Sequence, residues 1–322
     1  VVHNDRAHFI DTIRALPKGA TAQAVGLTFA AIEQHCVTLH ASGTAYPVAE
    51  GADPWAVEFA VHMQRIATEG VPAFYVGATA QAVVQKVQQH PTNPGRLSLA
   101  DLAHYQSKER DPLCFDHAAL ARVYRVCGFP PPSSGALAMG QILGLLSHTS
   151  DQGLSTAWLH TYMEASRLAF ADRAQYVADP DFVAAPGGDW QTLLSPAYLR
   201  ARAQLIGPAA MKSVAPGMPV REPRSHWAPM ADQPEYGTSH ISIVDGQGNA
   251  LAMTTTIEDA FGSRQMVKGF LLNNELTDFS FSPRDAQGRL VANRVQANKR
   301  PRSSMSPTLV FDKATGQLVM SV

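Results

Sequence analysis

No run of apolar residues in this 322-residue sequence approaches the ~20 that a helix needs to cross a bilayer. A helical membrane span is therefore excluded from this chain. Net charge is also lacking: 26 Lys and Arg stand against 27 Asp and Glu. The basic residues are scattered, with no aromatic–basic stripe, so nucleic acid is not an expected partner. Cysteine is scarce. Cys36, Cys114 and Cys127 are widely spaced and fit no metal-ligand pattern; they read as small buried hydrophobes. The 12 histidines are dispersed, and no His-Glu-x-x-His pattern occurs. Neither a metal nor a cofactor is expected. There is no signal peptide and no initiator methionine. The chain opens on Val1 and stops at Val322, inside what reads as a strand. It is expected to be a piece of a longer precursor, or a mature chain lacking parts of both ends.

What is present is helical at first. The length allows two domains or one large α/β domain. Short amphipathic runs occupy residues 1–20 and 22–35, followed by a loop around 42–47. Asp53-Pro54 marks the start of a helix over 55–66. Helical spacing continues at 79–89, and Ser98 with Asp101 caps a short helix. Val123–Cys127 reads as a strand. Its exit, Pro130-Pro-Pro-Ser-Ser-Gly135, is extended because each residue before a proline leaves the helical region. Ser133 or Ser134 then caps a helix over 136–146. The motif is either a rigid connection or one wall of a cleft. Residues 155–176 form the clearest helix, with a core stripe of Trp158, Leu159, Tyr162, Met163, Ala169 and Phe170. Glu164, Arg167, Asp172 and Arg173 are expected to be surface charges and helix-packing pairs. A last helix spans 195–204.

Residues 207–237 are proline- and glycine-rich, without periodicity, and read as an accessible, poorly packed linker. The linker ends on Gly237, directly before Thr238. A β-hairpin follows: Ile241 and Ile243 alternate with polar residues, as do Leu251 and Met253, around a Gly/Asn/Asp cluster. With Asp245–Asn249 as the loop, Val244 faces Ala250 and Thr238 faces Thr256. Facing residues bring their Cβ atoms to roughly 4.5–5.5 Å. One hairpin thus sets two hydroxyls together, in a register that a one-residue slip would destroy. Strands dominate after 238, at 269–272, 308–311 and 318–322. This segregation of helices and strands suits stacked sheets with helices outside.

Four segments in order carry a family resemblance: Pro130-Pro-Pro-Ser-Ser-Gly135, Gly237-Thr-Ser-His-Ile-Ser-Ile-Val-Asp245, Phe270-Leu-Leu-Asn-Asn-Glu-Leu-Thr-Asp-Phe279 and Lys299-Arg-Pro-Arg-Ser-Ser-Met-Ser-Pro307. The sequence resembles the γ-glutamyltranspeptidases, which are N-terminal-nucleophile (Ntn) hydrolases. The resemblance implies an α+β, four-layer αββα sandwich. It implies a precursor cut between Gly237 and Thr238 into large and small subunits, with 1–237 and 238–322 both contributing to one domain. The cut gives Thr238 a free α-amine, which titrates near ~7.7–8.0 and can act as the base for its own hydroxyl. Thr256 matches the family's second threonine, which orients that hydroxyl.

The implied substrate is a γ-glutamyl amide such as glutathione, with water, an amino acid or a peptide as acceptor. Glu275 and Asp278 match positions that hold the α-ammonium, and Ser303 and Ser304 the pair that holds the α-carboxylate. Glu258 stands where many members have asparagine. It either strengthens ammonium binding or marks a different acyl preference. Asn273 and Asn274 read as structural amides. The family's carboxylate-binding arginine would lie upstream of Val1, and its oxyanion glycines beyond Val322. Losing one oxyanion donor typically costs ~10²–10³ in rate, so these 322 residues are not expected to be competent alone. Residues 280–298 would form a polar lid with Phe281 as its one aromatic. Periplasmic or secreted localisation is implied by resemblance only. Two alternatives remain: an Ntn acylase of another amide, such as a glutaryl-β-lactam, and an uncleaved, inactive homologue with a binding or structural role.

Overall fold

The computed structural model describes residues 54–322, apart from 150–152, 154, 221–225 and 236. The expectations for residues before Pro54, including Cys36 and the Asp53 cap, lie outside the described residues. The described chain mixes helices and sheet and divides into two compact units.

The first unit holds the described residues up to Glu109, with Val244–Ala250 and Asp259–Asn273. Its helices are α1 (Pro54–Glu69), α2 (Pro72–Tyr75), α3 (Gly77–Gln88) and α4 (Leu99–Ala103). Ala73, Ala80, Val83 and Val84 are buried among them. Proline opens α1 and α2, where its missing N–H leaves no helix bond unmade. Ser98 and Asp101 form the expected capping box: Ser98 Oγ accepts from Asp101 N at 3.2 Å, and Asp101 Oδ2 from Ser98 N at 2.8 Å.

The second unit holds Arg110–Ile243, Leu251–Glu258 and Asn274–Val322. Strands β1 (Leu113–Ala119) and β2 (Arg122–Gly128) form an antiparallel hairpin. β3 (Ser239–Val244) and β4 (Ala250–Thr255) form a separate two-stranded sheet. β5 (Thr308–Asp312) adds to β2, and β6 (Leu318–Ser321) to β5, giving the sheet order β1-β2-β5-β6. Helix α5 (Gly135–Leu146) packs on β1, with α6 (Thr156–Tyr176) and α7 (Pro196–Ala203) against it. Leu113, Ala136, Leu137, Val177, Leu193 and Tyr198 form the main apolar cluster.

Three expectations are corrected here. First, Cys114 and Cys127 are not separate buried hydrophobes. They sit opposite each other on β1 and β2 and are joined by a disulfide. The expectation failed because β1 was not read as a strand, so nothing placed the two sulfurs across a hairpin. The bridge closes a loop of sequence separation 13, a length for which chain-entropy reasoning gives about 3 kcal/mol. The Cys114→Ala/Cys127→Ala double variant is therefore expected to lose about 2–3 kcal/mol, read as a lowered urea midpoint.

Second, the apolar stripe read on α6 is only partly its buried face. Of its residues, Ala169 is buried and Trp158 half-buried, but Leu159, Tyr162, Met163 and Phe170 are exposed, whereas Glu164, Leu168, Asp172 and Arg173 are buried. Charge at the right place outweighed hydropathy. Asp172 accepts from Gln141 Nε2 (2.8 Å), Tyr198 Oη (2.6 Å), Arg202 Nη2 (3.3 Å) and Gly217 N (2.7 Å), so the carboxylate is fully paired in the interior. Third, the linker is not uniformly loose. Ala228 and Met230 are buried, and their N–H groups donate to Leu290 O (2.8 Å) and Ala174 O (2.9 Å). Ile241, Leu251 and Met253 are exposed, and the β3–β4 hairpin forms a sheet of its own.

Candidate functional site

The site residues named from the sequence all fall in the second unit. The β3–β4 hairpin sets the first pair. At its tip Asp245 N donates to Asn249 O at 3.0 Å, and the Asp245 carboxylate accepts from Gln247 N, Asn249 N and Asn249 Nδ2. Farther along, His240 Nδ1 meets Thr254 Oγ1 at 2.8 Å. Both contacts fit the expected hairpin register, in which Val244 faces Ala250. At the base of the hairpin, Thr256 Oγ1 donates to the carbonyl oxygen of Gly237 at 3.2 Å, and accepts from Glu258 N at 2.8 Å. The second threonine thus grips the carbonyl of the peptide bond that precedes Thr238.

Beyond Thr256 the chain turns sharply. Glu258 takes a left-handed backbone (φ 74°), a conformation uncommon outside glycine. Its side chain is buried. One carboxylate oxygen accepts from Asn274 Nδ2, and the other, Oε1, has no hydrogen-bond partner. Asn274 also bonds Thr277 Oγ1 at 3.1 Å, the structural part expected of it. Glu275 and Asp278 occupy one 3-10 turn, Glu275–Asp278, and share a hydrogen bond. Burial, then Asp278 beside it, raises the Glu275 carboxyl to about 7. Burial, then Glu258, raises Asp278 to about 6. Crowded together and beside Glu258, Glu275 and Asp278 hold their protons to higher pH than free carboxyls do. A cation would relieve that crowding.

Ser303 and Ser304 part company. Ser303 is tied to the Pro130–Gly135 motif: its Oγ donates to Ser133 Oγ at 3.2 Å, and Ser134 N donates to Ser303 O at 2.9 Å. The two segments approach so closely that a Cβ on Gly135 would lie 2.5 Å from Met305 O, which is why glycine stands there. Ser134 precedes α5 but does not cap it with its side chain. Its hydroxyl instead donates to Ser303 O (3.0 Å) and accepts from Arg173 Nε (2.8 Å). Ser304 Oγ accepts from Arg173 Nη2 (2.5 Å) and donates to Glu235 Oε2 (2.8 Å). Arg302, two residues earlier, reaches the same carboxylate.

Sequence reasoning missed Arg173, Arg302 and Glu235. Arg173 was assigned to helix packing, yet it is buried beside Ser304 and Ser134. Its signal was faint: an arginine on the face of α6 that also carries Asp172, one residue away. Segment 280–298 is anchored by buried Val291, Ala292 and Asn293, and Asn293 Nδ2 donates to Asp278 O at 2.7 Å. Phe281 is exposed. No group of three or more metal-ligating side chains occurs among the described residues.

A family model described as Gamma-glutamyltranspeptidase matches residues 35–322. The chain belongs to the γ-glutamyltranspeptidase family. It is 36% identical over 282 residues to the "Glutathione hydrolase proenzyme" of Escherichia coli (strain K12), covering 85% of this chain and 46% of that protein. It is 32% identical over 259 residues to the "Acylase ACY 1 proenzyme" of Pseudomonas sp. (strain SE83), covering 79% of this chain and 41% of that protein. The fold is similar to that of the cephalosporin acylase from Bacillus halodurans, with a TM-score of 0.66 and 23% identity over 82% of this chain and 43% of that one. The chain thus spans less than half the length of each of these proteins.

Proposed function

We propose that this chain is the central part of a self-processing γ-glutamyl transferase/hydrolase with a four-layer αββα fold, cut between Gly237 and Thr238 into large and small subunits. One observation carries this reading. Thr256 Oγ1 donates to the carbonyl oxygen of Gly237, whose carbonyl carbon is the centre that Thr238 Oγ1 would attack. In that attack a C–O bond forms, the Gly237–Thr238 C–N bond breaks, and the nitrogen takes a proton to become the Thr238 α-amine. Water then hydrolyses the ester, leaving a Gly237 carboxylate and a free Thr238. The negative charge that develops on the carbonyl oxygen falls where the Thr256 hydroxyl already donates.

The freed Thr238 uses its α-amine as base and attacks the γ-amide carbonyl of glutathione or a related compound. The amine leaves, and water or an amino acid resolves the acyl-enzyme. Glu275 and Asp278, with Glu258, receive the donor's α-ammonium; Ser303 and Ser304 stand at its α-carboxylate. The Cys114–Cys127 disulfide favours an oxidising compartment, in keeping with a periplasmic or secreted protein.

Intact mass spectrometry of the full-length protein tests this reading. The wild type is expected as two fragments, the smaller beginning at Thr238, and Thr238→Ala as one uncut chain with no turnover. An uncut wild type would overturn the nucleophile assignment and favour a non-enzymatic role. A second reading, an Ntn acylase, is favoured by the acylase-named relative. A glutaryl donor lacks the ammonium. Turnover that survives removal of the donor's α-amine would therefore select the acylase.

A further inference from the structure

Two buried arginines share a single carboxylate, and that carboxylate belongs to the linker. Glu235 stands two residues before the Gly237–Thr238 bond. Its Oε1 lies 2.8 Å from Arg173 Nη1 and 3.3 Å from Arg302 Nη2. Its Oε2 accepts from Arg173 Nη2 at 2.9 Å and from Ser304 Oγ at 2.8 Å. The Arg173 and Arg302 side chains are 7% and 4% exposed, against 32% for Glu235. The cations are built into the protein, and the anion reaches them from the accessible side.

Arg302 is also under-satisfied. Its Nε and Nη1 are buried without a hydrogen-bond partner, a state that costs free energy unless an anion takes up the donors. Burial, then Arg173, lowers the Arg302 guanidinium to about 10, so it stays charged at neutral pH. Burial alone would raise the Glu235 carboxyl, but Arg173, then Ser304 and Arg302, hold it below its ordinary value. Asp278 lies within electrostatic reach of Arg173, Arg302 and Glu235. An anion receptor therefore adjoins the carboxylates that would take an ammonium. The two halves match the opposite charges on one α-carbon.

We propose that Arg173, Arg302 and Ser304 are the receptor for the acyl donor's carboxylate, and that Glu235 fills it as an intramolecular stand-in until cleavage at Gly237–Thr238 releases it. This assignment rests on the self-processing reading above. Before cleavage Glu235 is tethered from both sides and competes at a high effective concentration. After cleavage it is held from one side only. The new carboxylate on Gly237 also adds negative charge two residues away, beside an already acidic cluster. Both changes loosen Glu235 and leave two buried guanidinium groups facing an open site. The precursor is thus blocked by its own linker, and one hydrolysis both creates the nucleophile and clears the donor site.

The test uses chains that cannot be cut, so it does not depend on processing. Full-length Thr238→Ala precursor is titrated calorimetrically with L-glutamate, alongside Thr238→Ala/Glu235→Ala and Thr238→Ala/Glu235→Gln. The chains lacking the Glu235 charge are expected to bind L-glutamate at least ~10-fold tighter, the effect of exposing charge-assisted donors. Adding Arg302→Met is expected to remove that gain. Isoglutamine, whose α-carboxylate is an amide, is expected to show no gain. Equal affinity in all precursors, or a gain that survives Arg302→Met, would overturn the proposal. If Glu235→Ala fails to fold, Glu235→Gln carries the comparison. A wild type that stays uncut would sink the processing reading while leaving this titration interpretable.

Discussion

Thr256→Val slows cleavage of the Gly237–Thr238 bond by about 10²–10³-fold, the usual loss when one donor to a developing oxyanion is removed. Valine keeps the size and β-branching of threonine, so β4 and the hairpin register persist. What disappears is the hydroxyl that donates to Gly237 O and accepts from Glu258 N. The loss is therefore chemical rather than a folding defect. Thr256→Ser restores the hydroxyl on the same Cβ and is expected to recover most of the rate. The measurement is a time course of precursor and fragment masses after refolding or cell-free synthesis. Cleavage of Thr256→Val at the wild-type rate would show that the contact is a bystander.

Glu275→Gln raises KM for a γ-glutamyl donor by about 10–100-fold in the mature full-length enzyme, with a smaller change in kcat. That is the loss of one charged hydrogen bond to the donor's ammonium, about 1.5–3 kcal/mol. The same substitution is expected to stabilise the unliganded protein at pH 8, because it removes a carboxylate that burial and Asp278 disfavour. The sign follows from linkage. The folded-state value, about 7, lies above the ordinary carboxylate value, so the folded protein binds more protons than the unfolded one across that interval. Stability therefore falls as pH rises from about 4 to about 7, and Glu275→Gln flattens that fall. Donor binding runs the other way. An ammonium needs the ionised pair, so wild-type KM drops as pH rises through 6–7, and that limb weakens in the variant. A variant with unchanged KM and an unchanged melting temperature at pH 8 would remove Glu275 from the site.

Much of the molecule was legible in the sequence where chemistry is local. The Ser98–Asp101 capping box, the helices after Pro54, Ser134 and Ser155, and the hairpin around Asp245–Asn249 each follow from neighbours a few residues apart. Loop length and the period of two also led to Thr256, whose hydroxyl meets the Gly237 carbonyl. What stayed hidden depended on partners far along the chain. Cys114 and Cys127 made sense only once β1 was known to face β2. The buried face of α6 was misjudged because Asp172 finds its donors on α5, α7 and the loop at Gly217, and no periodicity announces that. Arg173 and Arg302 were passed over for the same reason: their shared anion sits on the linker, 62 and 67 residues from them.

The hairpin also sets an order of events during folding. Thr256 and Gly237 are 19 residues apart, and a five-residue loop joins their strands. Arg173 and Ser304 are 131 apart, and Ser133 and Ser303 are 170 apart. Short loops close in tens of nanoseconds and hairpins form in microseconds, whereas contacts of large sequence separation come late. The threonine pair is thus assembled by local zippering, and the charged pocket by global collapse. A chain built this way readies its cutting geometry first.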